Sequence, residues 1–335
     1  MLFEKVFVEK QVKENLYTLK ILEALKNPET ILIDKIENIF EKVKKPYLQK
    51  RTNLNLFIGR KEGQLIKEAP NAYGFSSEFP HYYFIHSYNC IYECQYCYLQ
   101  GYFNSPDIVL FVNHEEIQEE MKRLCEVHAN TKVWFHAGEF SDSFALANIT
   151  QEVPSYFELF KNLPNAFLEF RTKSVNIKQI ENLEPLENVV ISFSLSPQEQ
   201  TKKYDLQTPT FDSRIKAVSN LAKKGFKIGL HFDPIIFEEN FDKQYEEMIS
   251  KIAENVPESQ IVYISLGVVR FTKDVYFEVQ KNYPESEIHA SEFIKSFDNK
   301  TRYNKPQRLW MLNKIKQLCI RHNLSEEKIY FCMEE

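Results

Sequence analysis

The chain has 335 residues, of which 43% are hydrophobic and 14% aromatic, enough to bury a sizeable core in one large domain or two smaller ones. Its eight glycines and formal net charge of −5 exclude a low-complexity chain and a polycation. There is no long uncharged apolar run and no signal-peptide pattern, and the six cysteines do not form a secreted disulfide framework. The sequence therefore predicts a soluble, cytoplasmic protein with no membrane partner.

Residues 1–78 are predicted to form a helical N-terminal region with one short strand. Apolar residues recur at roughly helical spacing in two stretches, Leu16, Leu19, Ile21, Leu22 and Leu25, and then Ile33, Ile36 and Phe40. Leu54–Ile58 is strand-like and ends at Gly59. A small basic run extends from Lys42 to Arg51 and suits either a solvated surface or phosphate binding. No residue of this region carries recognisable chemistry.

Residues 79–270 alternate between strands and helices. The six strand-like runs are His81–His86, Lys132–His136, Phe167–Thr172, Val189–Ser194, Lys227–Phe232 and Ile261–Ser265. The amphipathic segments between them are Ile117–Cys125, Tyr156–Leu163, Phe211–Ala222 and Tyr245–Ala253. Six β/α repeats predict an α/β fold in which a parallel sheet curls into a partial barrel, with right-handed crossovers. In such barrels the chemistry lies at the C-terminal ends of the strands.

Three cysteines, Cys90, Cys94 and Cys97, follow the first strand within eight residues. Cysteine thiolates are the usual ligands of iron–sulfur clusters, and three ligands leave one iron of a four-iron cubane open. A zinc site is the alternative, with His86 or His81 as the fourth ligand. A disulfide is disfavoured because three clustered cysteines cannot all pair.

The C-x3-C-x2-C spacing resembles the signature of the radical S-adenosylmethionine (SAM) enzymes. This resemblance implies a partial (β/α)6 TIM-type barrel of the radical SAM type with helical N-terminal and C-terminal additions. It also implies a [4Fe-4S] cluster on the three cysteines, SAM as the second cofactor, and an external electron donor of the flavodoxin or ferredoxin type. SAM would be cleaved reductively to a 5′-deoxyadenosyl radical.

After the second strand, Ala137-Gly138-Glu139 resembles the turn that meets the SAM amino group in these enzymes, because glycine admits close backbone approach and a carboxylate offsets an ammonium. Such turns are also commonly structural. Lys173 follows the third strand and suits either the SAM carboxylate or a solvated surface. Ser194 ends the fourth strand and either binds SAM or terminates the strand.

A narrower resemblance is to the spore photoproduct lyase family, which repairs a thymine dimer in DNA. The collinear stretches that carry it are Cys94–Gln100, Leu110–Asn113, Ser141–Asp142, Thr172–Lys173, Phe193–Ser194, Phe211–Arg214, Asp233–Ile235 and Arg270–Lys273 with Tyr283–Pro284. The resemblance assigns Ser141, Lys173 and Ser194 to SAM. It makes Tyr96 and Tyr98 candidate radical-relay or active-site residues.

One departure from the family concerns Glu139. In the lyases the residue at this place is a cysteine that returns a hydrogen atom to the thymine radical. A carboxylic O–H bond is much stronger than a thiol S–H bond, so Glu139 cannot act as that donor. We therefore expect Glu139 to take part in the chemistry in another way.

Residues 271–335 are predicted to form a C-terminal region with a basic segment. Between Lys295 and Arg321 there are eight lysines and arginines and one acid, and a helix is predicted from Pro306. The lyases carry a basic, aromatic hairpin at the corresponding place. The resemblance therefore makes Arg302, Tyr303 and Lys305 candidates for gripping a nucleic acid.

The sequence thus predicts a lyase-like radical SAM enzyme, with a thymine-dimer DNA lesion as the first candidate substrate and DNA as the candidate partner. Two alternatives stay open at this point. One is a radical SAM enzyme that acts on a substrate other than DNA. The other is a zinc-dependent or nucleic-acid-binding module without catalysis.

Overall fold

The computed structural model describes residues 3–42, 54–69, 78–296 and 298–334. Its strands, in chain order, are β1 (Phe3–Glu9), β2 (Thr30–Ile33), β3 (Leu54–Gly59), β4 (Ile66–Glu68), β5 (His81–Phe84), β6 (Ser87–Tyr88), β7 (Glu93–Cys94), β8 (Ile108–Phe111), β9 (Val133–Ala137), β10 (Ala166–Thr172), β11 (Val189–Ser194), β12 (Asp205–Leu206), β13 (Lys227–Ile235), β14 (Ile261–Val268), β15 (Arg270–Phe271), β16 (Ile294–Lys295), β17 (Thr301–Arg302) and β18 (Ile329–Phe331).

The α-helices, in chain order, are α1 (Leu16–Ala24), α2 (His114–Val127), α3 (Ala147–Thr150), α4 (Val153–Phe160), α5 (Lys178–Glu181), α6 (Gln198–Tyr204), α7 (Phe211–Lys223), α8 (Phe241–Asn255), α9 (Lys273–Asn282) and α10 (Lys305–Arg321). Within the described ranges, none of them combines the length and the hydropathy needed to cross a bilayer. The six strands and four helices expected between residues 79 and 270 are all confirmed. The helix expected from Pro306 is confirmed as α10.

The described residues form two compact units. The first contains the described parts of Met1–Pro70 together with Glu78–Ile91 and Phe103–Val189, and the second contains Tyr92–Tyr102 and the described parts of Val190–Glu335. These limits differ from the predicted boundaries at 78 and 270. The N-terminal residues share a core with β8 and α3, in which Val6, Leu56, Ile108 and Ile149 are all buried.

The described N-terminal residues form mainly a sheet, so the prediction of a helical region is wrong except for α1. The short strand predicted at Leu54–Ile58 is confirmed as β3. Strands β2, β1, β3 and β8 pair in parallel in that order, and β6 pairs antiparallel with β8. The stretch from Ile33 to Phe40 ends β2 and then forms a single 3-10 turn. Over a short stretch, the spacing of apolar residues does not distinguish a helix from a strand buried on one face. Pairing with other strands decides between the two, and those strands are distant in the chain. Apart from Lys42, the basic run from Lys42 to Arg51 lies outside the described residues.

A second sheet of the first unit supports the residues of interest. In it, β4 pairs antiparallel with β5, and β5, β9 and β10 pair in parallel. Helix α4 covers one face, where the Tyr156 ring lies 5.2 Å from Phe84 and 6.2 Å from Phe170. Because β5, β9 and β10 are parallel, their C-terminal ends lie on one edge of this sheet.

In the second unit, strands β11, β13, β14 and β18 pair in parallel in that order. Helix α10 begins as expected at its proline: the Asn304 side chain accepts a hydrogen bond from the Gln307 amide at 3.0 Å, and Pro306 lies in the first turn.

Candidate functional site

The edge formed by the C-terminal ends of β5, β9 and β10 carries most of the predicted site residues of the first unit. Cys90 follows β5, Ala137 ends β9 and Lys173 follows β10. Alternating side chains of these strands face α4, and the loops after the strands are left to project from the edge. The position of the loops follows from the parallel pairing, as the sequence predicted.

The three cysteines lie in residues 90–97, here called the cysteine segment. Asn89 anchors the start of this segment. Its backbone has φ +63°, in the left-handed region that asparagine tolerates better than most residues. Its buried side chain donates hydrogen bonds to the carbonyls of Ser105 at 2.7 Å and Asp107 at 2.8 Å. The residue before Cys90 therefore has a fixed conformation.

The second part of the cysteine segment belongs to the second unit. Strand β7 pairs antiparallel with β12, with Cys94 opposite Asp205. The Gln95 amide donates to the Tyr204 carbonyl at 2.9 Å, and the Tyr96 hydroxyl donates to the Asp205 carboxylate. Burial and the adjacent carboxylate raise the pKa of Tyr96 well above its usual value, so its phenol keeps its proton. Tyr98, by contrast, is exposed.

Asp205 in turn pairs with Arg214, and neither side chain reaches solvent. One Arg214 Nη1 atom donates to Asp205 at 2.9 Å and to the Ser194 carbonyl at 3.0 Å. The arginine thus connects the end of β11, where Ser194 was predicted to bind SAM, with the strand that holds Cys94. Sequence reasoning noted Arg214 only as part of a family match and missed Asp205.

Side chains after α9 hold the same segment from a different direction. The Tyr283 hydroxyl donates to Glu93 at 3.1 Å, and the Ser286 hydroxyl donates to the Gln95 side chain at 2.6 Å. The Asn282 amide donates to Gln100 at 3.0 Å. These contacts give the Tyr283–Pro284 family match a structural role, because they fix residues on both sides of Cys94 and Cys97.

Gly138 makes the turn after β9 in a way that no other residue would without strain. Its φ is +92°, and a Cβ atom there would lie 2.8 Å from the Ser143 hydroxyl and 3.1 Å from the Arg171 carbonyl. Glycine is therefore required at this turn by its positive φ and by the close approach of the β10 backbone. Ala137, just before it, is buried at the end of β9.

We expect Gly138→Ala to destabilise the protein more than Gly63→Ala does. Gly63 also has a positive φ, +69°, but no atom lies within 4 Å of the place its Cβ would take. The control should therefore cost only left-handed backbone strain, about 1–2 kcal/mol. The close contacts at Gly138 should add at least about 1 kcal/mol. Urea unfolding of the two variants checks this, and equal losses would contradict it.

Asp142 ties the loop after β9 to the loop after β10. Its carboxylate accepts hydrogen bonds from the Thr172 hydroxyl and the Lys173 amide, both at 2.6 Å, and from the Phe144 and Ala145 amides. The backbone at Lys173 is therefore fixed. The neighbouring Ser141 hydroxyl is hydrogen-bonded to the hydroxyl of Ser87, which lies three residues before Cys90 in the chain.

Glu139 is partly buried beside Arg171. Burial raises the pKa of its carboxyl, and the Arg171 charge opposes that rise. Arg171 is held by the buried Glu169 at 3.1 Å, and Glu169 also accepts from His136 at 2.6 Å. His136 contacts His81 at 2.9 Å, so the ring that was considered as a zinc ligand belongs to this buried chain.

A small cavity of about 20 Å³ lies beside Cys90, between the loops after β5 and β9. His86 and Glu152 line it, with the His86 Nδ1 atom 3.8 Å from Glu152. Burial lowers the pKa of His86 to about 4 and raises the pKa of Glu152 to about 7. At neutral pH the His86 ring is therefore neutral. Nothing in the sequence indicated that Glu152 lies beside it.

The donor set of the cysteine segment suits an iron–sulfur cluster. Within the described ranges, no group of three or more His, Cys, Asp or Glu side chains is arranged around a single metal ion, as a zinc site would require. A cubane cluster uses each thiolate on a different iron. The three cysteines supply the thiolate donors that such a cluster takes, and residues that flank them are held by hydrogen bonds.

Two of the three residues that were predicted to bind a nucleic acid are buried. Arg302 and Tyr303 are each 1% exposed, whereas Lys305 is exposed. Arg302 pairs with Asp298 at 3.1 Å and with Glu334 at 3.2 Å. The Tyr303 hydroxyl accepts a hydrogen bond from the Phe237 amide at 3.1 Å. In this conformation Arg302 and Tyr303 are structural, which corrects the prediction for both.

The chain matches a family model described as spore photoproduct lyase over residues 65–331. The spore photoproduct lyase of Bacillus subtilis (strain 168) is 27% identical over 206 residues, 61% of this chain and 60% of that protein. The one from Clostridium acetobutylicum is 22% identical over 209 residues, 62% of each. These matches span less than two thirds of the curated relatives' length.

Solved structures are similar over almost the whole chain. A spore photoproduct lyase mutant with dinucleoside spore photoproduct has a TM-score of 0.83 at 18% identity, covering 99% of this chain and all of that one. A mutant with bound AdoMet and dinucleoside spore photoproduct has a TM-score of 0.79 at 17% identity and covers both chains fully. The predicted fold class, a radical SAM partial barrel, is thereby confirmed.

Proposed function

The chain belongs to the spore photoproduct lyase family, and from that premise we propose that it is a radical SAM enzyme with a [4Fe-4S] cluster and SAM as cofactors. Its candidate substrate is a thymine-dimer lesion in DNA. The observation that carries the proposal is the cysteine segment. Its three thiols have the family spacing, and the residues around them are held by hydrogen bonds on either side. A reducing cytoplasm suits such a cluster.

In this proposal the protein's own residues bind and orient the two cofactors. Cys90, Cys94 and Cys97 would hold the cluster, which would supply the electron for reductive cleavage of SAM and thus the radical chemistry of the site. The backbone at Gly138 would receive the SAM amino group.

Further residues complete the SAM site. We assign Ser141, Lys173 and Ser194 to SAM, as the family resemblance implies. The support from the fold is that Asp142 fixes the backbone of Lys173 and that Arg214 fixes the Ser194 carbonyl. These two polar side chains hold two of the proposed SAM contacts in place.

Tyr96 and Tyr98 are proposed to lie near the reacting groups. The Tyr96 phenol is oriented by Asp205 and retains its proton, so it is a fixed hydrogen-bond donor at neutral pH.

An external electron donor of the flavodoxin or ferredoxin type would reduce the cluster. Anaerobic reconstitution with dithionite tests the core of the proposal: 5′-deoxyadenosine should form from SAM, and its absence would overturn it.

Glu139 is proposed to decide the outcome of the reaction after hydrogen abstraction. It stands where the lyases have their hydrogen-donor cysteine, and its O–H bond is too strong to give a hydrogen atom to a carbon radical. It lies partly buried beside Arg171. A substrate other than the thymine dimer is therefore the second candidate, and the substitution Glu139→Cys distinguishes the two.

We expect Glu139→Cys to increase the repair of dinucleotide spore photoproduct several-fold over the parent protein, because a thiol S–H can return a hydrogen atom to the thymine radical. Glu139→Ser is the matched control, with similar size but no S–H bond. Chromatography of the repaired dinucleotide under anaerobic turnover checks this. If both variants cleave SAM and neither yields repaired dinucleotide, this lesion is not the substrate.

A further inference from the structure

Four cations of the second unit surround the last described residues of the chain. They are Arg270, Lys300, Arg302 and Arg308, here called the cation cluster, and they contact residues 332–334, here called the covering segment. Arg302 and Arg308 are each only 2% exposed in their side chains. Two guanidinium groups are thus buried beneath a segment whose residues are only partly exposed.

Glu334 is the anion that neutralises the buried pair. Its carboxylate accepts hydrogen bonds from Arg308 Nε at 2.7 Å and from Arg302 Nη1 at 3.2 Å, and its side chain is only 3% exposed. Arg308 is additionally held by the Tyr303 carbonyl at 2.6 Å. One carboxylate therefore occupies a position between two arginines, which is the arrangement in which arginine binds carboxylate and phosphate groups alike.

The other residues of the covering segment provide poor hydrogen-bond acceptors for the cations. The Met333 sulfur is the acceptor for both Arg270 Nε and Lys300 Nζ, each at 3.0 Å, although a thioether is only a weak acceptor. Met333 also has a φ of +59°, a strained conformation for a residue with a side chain. In addition, the buried Arg302 Nε atom has no hydrogen-bond partner among the residues that the structure describes. Three cationic donors thus lack a good oxygen acceptor.

The charges around the cluster are also unbalanced. Asp233 pairs with Arg270 at 2.9 Å, and Asp298 pairs with Arg302 at 3.1 Å and with Lys300 at 3.7 Å. With Glu334, three carboxylates of the described part of the chain face four cations. Burial lowers the pKa of Lys300 and of Arg302, and neighbouring cations add to the effect. The cluster would accept more negative charge than a single glutamate provides.

We propose that the cation cluster is a phosphate-binding site and that the covering segment is a displaceable plug, with Glu334 standing in the place of the phosphate. A phosphate group offers more oxygen acceptors than a carboxylate and more negative charge. It could satisfy Arg302 Nε and the two donors now directed at sulfur. Its source is either a nucleic acid backbone or a small phosphorylated molecule.

This inference does not depend on SAM cleavage or on the cysteine segment. It gives a physical account of why Arg302 is buried here although the family resemblance assigned it to a nucleic acid. In the plugged state the guanidinium is covered by Glu334, and binding requires residues 332–334 to move away. The plug therefore makes phosphate binding weaker than the charge of the cluster alone would allow.

The test measures binding of a labelled single-stranded oligonucleotide by anisotropy and of inorganic phosphate by calorimetry. Glu334→Gln should tighten binding several-fold, because it weakens the plug, and Arg302→Gln added to it should remove the gain. Glu327→Gln, at an exposed position seven residues earlier in the chain, removes the same charge outside the cluster and should change little. A gain with both probes indicates a free phosphate site, and a gain with the oligonucleotide alone indicates a nucleic acid backbone.

A measurement on the unaltered chain guards against variants that fold poorly. Hydrogen exchange of the peptide that contains residues 332–334 should become faster when the oligonucleotide or phosphate is added at saturating concentration, since the plug leaves its site. The proposal is overturned if Glu334→Gln binds neither probe more tightly than Glu327→Gln does. It is equally overturned if a bound probe leaves exchange in this peptide unchanged.

Discussion

Replacing Cys94 by alanine is expected to abolish both cluster assembly and the formation of 5′-deoxyadenosine. Three thiolates are the minimum that holds a cubane with one iron open, and Cys94 is the one that sits in a paired strand. Iron and acid-labile sulfide should fall from about four of each per chain to a small residual amount. 5′-deoxyadenosine should fall to the level found without protein.

The matched control is Cys125→Ala. Cys125 lies on α2, and partial burial raises the pKa of its thiol to about 11, so it is not a thiolate at neutral pH and has no ligand character. Its replacement should leave the iron content unchanged. The proposal would be contradicted by full iron content in the Cys94 variant, and also by equal losses in the two variants.

Replacing Asp205 by asparagine is expected to produce the largest loss of stability among the single substitutions considered. The change keeps the shape of the side chain but removes the negative charge that compensates the buried Arg214. Leaving one member of a buried ion pair without its partner costs about 3–5 kcal/mol. Because Asp205 also accepts from Tyr96 and its strand pairs with Cys94, the substitution should reduce cluster assembly as well.

Asp212→Asn is the control for that substitution. Asp212 pairs with Lys251 at 3.0 Å, but its side chain is 60% exposed, and surface pairs of this kind contribute no more than about 1 kcal/mol. Urea unfolding and iron content should separate the two variants clearly. A loss at Asp205 no larger than the loss at Asp212 would show that the buried pair does not hold the cysteine segment.

The elements between residues 79 and 270 could be predicted from the sequence because each carries its signal locally. A strand buried on both faces, such as β11, reads as a short apolar run, and a helix such as α7 shows its apolar stripe within its own residues. The N-terminal sheet gave no such signal. Strand β1 is stabilised by β2 and β3, which follow it at a distance in the chain, and its pattern alone does not reveal these partners.

The same distinction separates the site residues. Cys90, Cys94, Cys97 and Gly138 are recognisable because their chemistry lies in residue type and local spacing. The residues that hold them are not, since Asp205 lies more than a hundred positions from Tyr96 and no local pattern marks an acceptor for a distant donor. Arg302 shows the converse case: a basic residue in a basic stretch reads as exposed until its buried carboxylate partner is known.

The sequence by itself determined the family, the barrel-type order of strands and helices, and the three thiols, because motif spacing and hydrophobic periodicity are properties of neighbouring residues. Only the tertiary structure decided that the N-terminal region is a sheet, that Asp205 and Arg214 hold the cysteine segment, and that Glu334 covers Arg302. Hydrogen bonds and ion pairs between distant residues form only when folding brings the partners together, and a buried charge keeps its partner because desolvation makes an unpaired charge costly.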